Sequence, residues 1–121
     1  MKTVAVVEDN PDNRLLLQAL LGDRYALTEY ESGAQALEGL KRAAPDVVLL
    51  DISMPGMDGV EVLARIRADA RIRNLPVIAL TAHAMAGDRE KYLAAGFNGY
   101  VTKPLVDEAP LIDAIERCAG A

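Results

Sequence analysis

The chain reads as an α/β domain built on a five-stranded parallel sheet. Three observations point there. Unbroken apolar runs recur at Val4–Val7, Val47–Leu50 and Val77–Leu80, without the polar alternation of a half-exposed strand, so each suits a strand covered on both faces. Between the runs lie amphipathic stretches bounded by caps and breakers. Strand and helix alternate five times across 121 residues with short links and no repeat, so a single domain spanning residues 1–121 is expected.

In order, Val4–Val7 forms a first strand that ends at Glu8-Asp9. Asn10-Pro11 is an N-cap followed by proline at the first helical position. The first helix then runs to Gly22, a suitable C′ residue. Leu16, Leu17, Leu20 and Leu21 supply its inward stripe, and Leu15 lies off it. Tyr25–Tyr30 is a second, less apolar strand suited to an edge. Ser32 with Gln35 three residues on is a capping box. It opens a helix to about Ala43, with Ala36, Leu37 and Leu40 inward. Pro45-Asp46 leads into the third strand, which ends at Asp51.

Asp58 and Glu61 repeat the capping signature and start a helix that buries Val62, Leu63 and Ile66. Asn74-Leu75-Pro76 breaks the chain before the fourth strand, which ends at Thr81-Ala82. The next helix stops before Gly96. Its apolar face is thin, essentially Met85, Leu93 and alanines, and Gly87 costs about 1 kcal/mol if helical. It is expected to be the least firmly held helix. Gly99–Thr102 is a short fifth strand ending at Lys103-Pro104. Asp107 caps a last helix that tolerates Pro110 in its first turn and turns Leu111, Ile112, Ile115 and Cys118 inward.

Composition excludes several function classes. A net charge of −5 opposes direct binding of nucleic acid or an anionic membrane. One cysteine, Cys118, rules out an internal disulfide or a cysteine metal cluster. No apolar run approaches the ~18 residues of a membrane span, and the N-terminal run is too short for a signal peptide. A cytoplasmic protein is expected.

The ends of strands one, three, four and five carry Glu8-Asp9, Asp51, Thr81 and Lys103. In a parallel sheet these ends share one edge, where open α/β sheets place their crevice. Three crowded carboxylates repel unless a cation sits among them. A hard divalent ion such as Mg²⁺ (or Mn²⁺) suits oxygen donors of this kind, and the group offers no zinc set. Beside such an ion a carboxylate can attack phosphorus, as in aspartyl phosphates. Lys103 then supplies a point charge to the phosphoryl group. The Thr81 hydroxyl and a neighbouring N–H, that of Ala82, can hold another oxygen.

Four segments carry a resemblance. They are Val6-Val7-Glu8-Asp9-Asn10, Leu49-Leu50-Asp51-Ile52-Ser53-Met54-Pro55-Gly56-Met57-Asp58-Gly59, Leu80-Thr81-Ala82 and Tyr100-Val101-Thr102-Lys103-Pro104-Leu105. Together, each at a strand end, they resemble the receiver domain of response regulators in two-component signalling, over essentially the whole chain. The resemblance implies a flavodoxin-like fold with strand order 2-1-3-4-5. It implies Asp51 as phosphoacceptor, with Asp9, Asp51 and the Ser53 carbonyl on the metal and Glu8 acting through water. Lys103 would bind the phosphoryl group, with a cis bond to Pro104. Thr81 and Tyr100 would form the switch that remodels the face of the fourth helix, fifth strand and fifth helix. Glu8 stands where such domains often carry Asp.

Other features keep two readings. Ser53 and His83 could tune phosphoryl lifetime, or be ordinary loop residues. Asn13 and Leu15 could dock a phosphodonor, or Leu15 could be a scattered surface leucine. Met54 and Met57 suit either a soft partner surface or loop packing.

The expected protein is a stand-alone regulator, a monomer or weak dimer. It would accept phosphate from a histidine kinase or histidine phosphotransfer protein and pass the signal to a downstream protein partner. It would assist its own phosphorylation and dephosphorylation but turn over no separate substrate. Met1 and the Cys118–Ala121 end favour a free-standing chain over a receiver excised from a hybrid kinase or multidomain regulator. An aspartyl-phosphate phosphatase of haloacid-dehalogenase type would need a D-x-D pair after its first strand, where Glu8-Asp9 are adjacent. A flavodoxin would need a Ser/Thr-rich first loop.

Overall fold

The computed structural model describes residues 2–82, 88–103 and 108–119. Five strands alternate with five helices among them: β1 (Thr3–Val7), α1 (Pro11–Leu21), β2 (Ala26–Tyr30), α2 (Gly33–Arg42), β3 (Val47–Asp51), α3 (Gly59–Ala68), β4 (Val77–Thr81), α4 (Asp88–Ala95), β5 (Gly99–Thr102) and α5 (Glu108–Ala119). The strands form one parallel sheet in the order β2-β1-β3-β4-β5, as expected. Expectations resting on His83, Met85, Gly87, Pro104 and Asp107 lie outside the described residues.

Successive strand residues face opposite sides of the sheet, and two cores result. Ala5, Val7, Val48, Leu50, Val77 and Ala79 pack with Ala36, Leu40, Val62, Leu63, Ile66 and Tyr92 beneath α2, α3 and α4. Val4, Val6, Val47, Leu49, Ile78 and Leu80 pack with Leu17, Leu21, Leu111 and Ile115 beneath α1 and α5. β3 and β4 are buried throughout, while edge strand β2 is not. This two-sided cover explains the unbroken apolar runs.

The caps follow their expected side chains. Asn10, Ser32 and Asp58 accept backbone N–H bonds from Asp12, Gln35 and Glu61. Gln35 reaches back to the N–H of Glu31, one residue earlier than a standard capping box would place it.

Three expectations are corrected, and one choice between two readings is narrowed. Gly22 closes α1 in right-handed geometry, φ −61°, so its freedom as glycine is not used there. Leu16 is 36% exposed, because the α1 stripe centres on Leu17 and Leu21. Met54 is buried and Met57 packs against the same core, which favours loop packing for both. The α4 face rests on Tyr92, which is buried, whereas Leu93 is exposed.

The end of α4 shows why. Gly96 takes φ +113°, Gly96 N–H donates to Leu93 O and Phe97 N–H to Tyr92 O. That pairing is a Schellman motif. Its hydrophobic contact is the edge-on packing of Tyr92 against Phe97, centroids 6.0 Å apart. Below α4, the Arg67 guanidinium donates to the carbonyls of Arg73, Leu75 and Gly96 and to Asn98 Oδ1. It thereby ties α3 to the turn that leads into β4 and to the turn between α4 and β5. Burial lowers its pKa from the ordinary arginine value.

Candidate functional site

The parallel register carries the acidic and basic groups to one edge. Asp51 is the last residue of β3, opposite Leu80 of β4. Glu8 follows β1 directly, its N–H donating to Tyr30 O. Lys103 follows β5, its N–H donating to Thr81 O at 2.7 Å. The ladders thus run on past the strands and fix the backbone beneath each functional side chain.

Lys103 Nζ lies 3.0 Å from Asp51 Oδ1 and 3.3 Å from Glu8 Oε2. The two acids are 2% and 1% exposed respectively, so one ammonium compensates two buried carboxylates. Ser53 N–H also donates to Asp51 Oδ1, at 3.1 Å. Both donors address the same oxygen and leave Oδ2 to other uses. Glu8, Asp9 and Asp51 each bring a carboxylate oxygen within 4.8 Å of the others. That donor set, all oxygen, fits a hard divalent cation.

Burial pushes the Glu8 pKa up from the ordinary 4.5 and the Asp51 charge adds to it, against the opposing pull of Asn13 and Lys103. Burial alone would lower the Lys103 pKa, but its contacts with Asp51 and Glu8 outweigh that and hold it above 10.5.

A pH test follows for the metal-free protein. A carboxyl whose folded pKa is raised costs stability as pH climbs from about 4.5 through the raised value. Glu8→Gln escapes that cost. Its melting temperature in EDTA should exceed wild type by a few degrees at pH 7, and the gain should vanish toward pH 4. An equal gain at both pH values would contradict this account.

The remaining expected residues divide. Asn13 is half-buried and its amide donates to Glu8 Oε1 at 3.1 Å. Leu15 is 72% exposed on α1, compatible with either reading. Ser53 contributes its backbone while its side chain is exposed, and Ala82 is exposed at the end of β4. The Thr81 hydroxyl is buried and lies 3.0 Å from the Tyr92 hydroxyl. Tyr100 is half-buried, its ring tilted against Tyr92 at 6.2 Å.

Three supporting features were not anticipated. Arg14 donates to the carbonyls of Glu8 and Asp9 at 2.8 and 3.1 Å. It is itself held by Glu29 and Glu31 at 3.5 and 3.6 Å, so edge strand β2 braces the acidic loop. Tyr92 is the second, with no signal beyond an aromatic in a thin helix face. The third is the closure of the β3–α3 loop. Gly59 N–H donates to Ile52 O at 3.0 Å, and a Cβ on Gly59 would lie 2.5 Å from Asp51 O. Only glycine permits that approach.

The family model for the response regulator receiver domain matches residues 4–116. The chain is 47% identical over 107 residues to the signal transduction histidine-protein kinase BarA of Shigella flexneri, covering 88% of this chain but 12% of that kinase. It is 38% identical over 105 residues to the polar-differentiation response regulator DivK of Brucella ovis, covering 86% of this chain and 85% of DivK. Among solved structures it superposes on the receiver domain of the sensor histidine kinase PA1611 from Pseudomonas aeruginosa, with a TM-score of 0.88 and 38% identity, covering 99% of this chain and 98% of that one. That domain holds a magnesium ion in its active-site cleft.

Proposed function

Since the chain belongs to the response regulator receiver family, we propose that it is a phosphorylation-controlled signalling protein and that Asp51 is its phosphoacceptor. One observation carries the reading: a buried carboxylate has one oxygen held by Lys103 and the Ser53 N–H, beside two further acids.

The donor is a phosphohistidine of a kinase or phosphotransfer protein. The free Asp51 oxygen attacks phosphorus. A P–O bond forms as the donor's P–N bond breaks, and that bond's electron pair leaves with the imidazole. Lys103, already at the attacked site, stays beside the developing charge on the phosphoryl oxygens, where a fixed cation is worth most. Asp9, Asp51 and the Ser53 carbonyl would hold Mg²⁺, with Glu8 acting through water. When bound, the ion neutralises phosphoryl charge and offsets the acids' mutual repulsion. Arg14 and Asn13 keep Glu8 and the loop in place. Water later attacks the same phosphorus and releases phosphate, so no second substrate is turned over.

The protein works in the cytoplasm as a monomer or weak dimer, and its phosphorylated form is read by another protein. Among the described residues no helix is long and apolar enough to cross a membrane. The test is incubation with acetyl phosphate and Mg²⁺ followed by intact mass and peptide mapping. One phosphoryl adduct on Asp51 is expected; no adduct under conditions where Mg²⁺ binds would overturn the reading.

Higher identity to BarA than to DivK favours a second reading, a receiver carried by a hybrid kinase. The chemistry at Asp51 is the same in both. Immunoblotting of the source cells separates them, by a band at this chain's mass or at a much larger one.

A further inference from the structure

We propose that Tyr92 is a latch on Thr81, closed in the unphosphorylated protein and opened when Asp51 carries a phosphoryl group. The inference rests on the phosphoacceptor reading above. It adds a residue of α4 that makes no contact with the acidic cluster.

The Thr81–Tyr92 hydroxyl pair is buried, at 3.0 Å. Thr81 ends β4 and its carbonyl receives the Lys103 N–H. Lys103 Nζ in turn sits on Asp51. A short path therefore runs from Asp51 through Lys103 and Thr81 to Tyr92. On the far side, Tyr92 is the one buried side chain among those described in α4. Its ring packs on Phe97 and Tyr100, so whatever shifts Tyr92 shifts α4 and the ring of Tyr100 together.

The latch has two positions because threonine has discrete ones. Its χ1 sits in staggered wells, and the hydroxyl carries a single proton. Rotation toward a phosphoryl oxygen at Asp51 takes Oγ1 out of reach of Tyr92. The phenol is then left without its partner in a buried site, an arrangement that favours movement of the ring toward solvent. Ligation at Asp51 and release of α4 are thus linked, and the linkage works in both directions. Removing the latch makes ligation at Asp51 easier.

The test measures affinity for beryllium fluoride, a phosphoryl mimic, at saturating Mg²⁺, followed by amide NMR on the full chain. Tyr92→Phe keeps the ring and deletes only the hydroxyl. It should bind the mimic about fivefold more tightly than wild type. In a Thr81→Ala background the same substitution should change nothing. In wild type, saturation with the mimic should speed amide exchange in α4.

Unchanged or weaker affinity for Tyr92→Phe overturns the latch, as does an equal gain in the Thr81→Ala background or unchanged exchange in α4. Wild-type protein that binds no mimic and takes no phosphoryl group from acetyl phosphate would instead remove the phosphoacceptor reading, and the latch with it.

Discussion

Asp51→Asn is expected to abolish the phosphoryl adduct formed with acetyl phosphate and Mg²⁺, lowering acceptance by roughly 10⁴-fold or more. The amide has nearly the shape of the carboxylate, and its oxygen can still accept from Lys103 Nζ and the Ser53 N–H, the two donors that hold Oδ1. The fold should survive, so loss of the adduct reports chemistry. What disappears is the anionic oxygen proposed to attack phosphorus. Intact mass after incubation settles the matter. An adduct retained on the variant and mapping to Asp9, the least buried of the three acids, would move the acceptor to that residue.

Lys103→Met should leave the nucleophile in place and still slow acceptance by about 10²–10³-fold, the usual loss when one fixed charge-stabilising group is removed. The variant also strips the only cation within salt-bridge distance of Glu8 and Asp51 among the described residues. A lysine whose folded pKa is raised contributes stability that is complete below its ordinary 10.5 and is lost as pH rises through the raised value. The variant is therefore less stable than wild type at pH 7, by thermal unfolding in EDTA, and the gap narrows above about pH 10.5.

Magnesium affinity separates this role from a merely structural one. A competing cation has left, so Mg²⁺ should bind the variant at least as tightly as wild type while acceptance falls. Weaker Mg²⁺ binding in step with slower acceptance would assign Lys103 to scaffolding. Arginine should rescue poorly, because its planar fork replaces a compact point charge.

Much of this arrangement is legible in the sequence, and the reason is local. Val47–Leu50 and Val77–Leu80 announce buried strands because sheet burial on both faces leaves no polar positions to disguise them. Asn10, Ser32 and Asp58 announce helix starts because a cap bonds two or three residues away. Once strands are placed and known to be parallel, their ends must share an edge, so Glu8, Asp9, Asp51 and Lys103 can be grouped from the sequence alone.

What is not legible depends on contacts between elements. Asn13 turns onto Glu8 because of where α1 leaves the sheet. Arg14 braces two carbonyls that any residue could have supplied, itself held by Glu29 on β2 and Glu31 just past it, whose placement is a tertiary fact. Tyr92 outranks Leu93 on α4 because the Gly96 turn rotates the helix end toward Phe97, a rotation that an eight-residue helix with few apolar side chains does not encode. Cys118, expected in the core, is half-buried, its thiol 3.7 Å from Asn98 O and its pKa pushed up by burial.

The glycine closure after β3 has a consequence for entropy. With Gly59 bonded to Ile52, the chain between them is a small ring whose ends met when the protein folded. Fixing the ends of a loop that size costs free energy once, and that cost falls on folding rather than on each engagement of the loop. Ser53, inside the ring, can hold Asp51 and offer its carbonyl with little freedom left to lose. A side chain at position 59 would force the ring open, and every engagement of the loop would then have to order it anew.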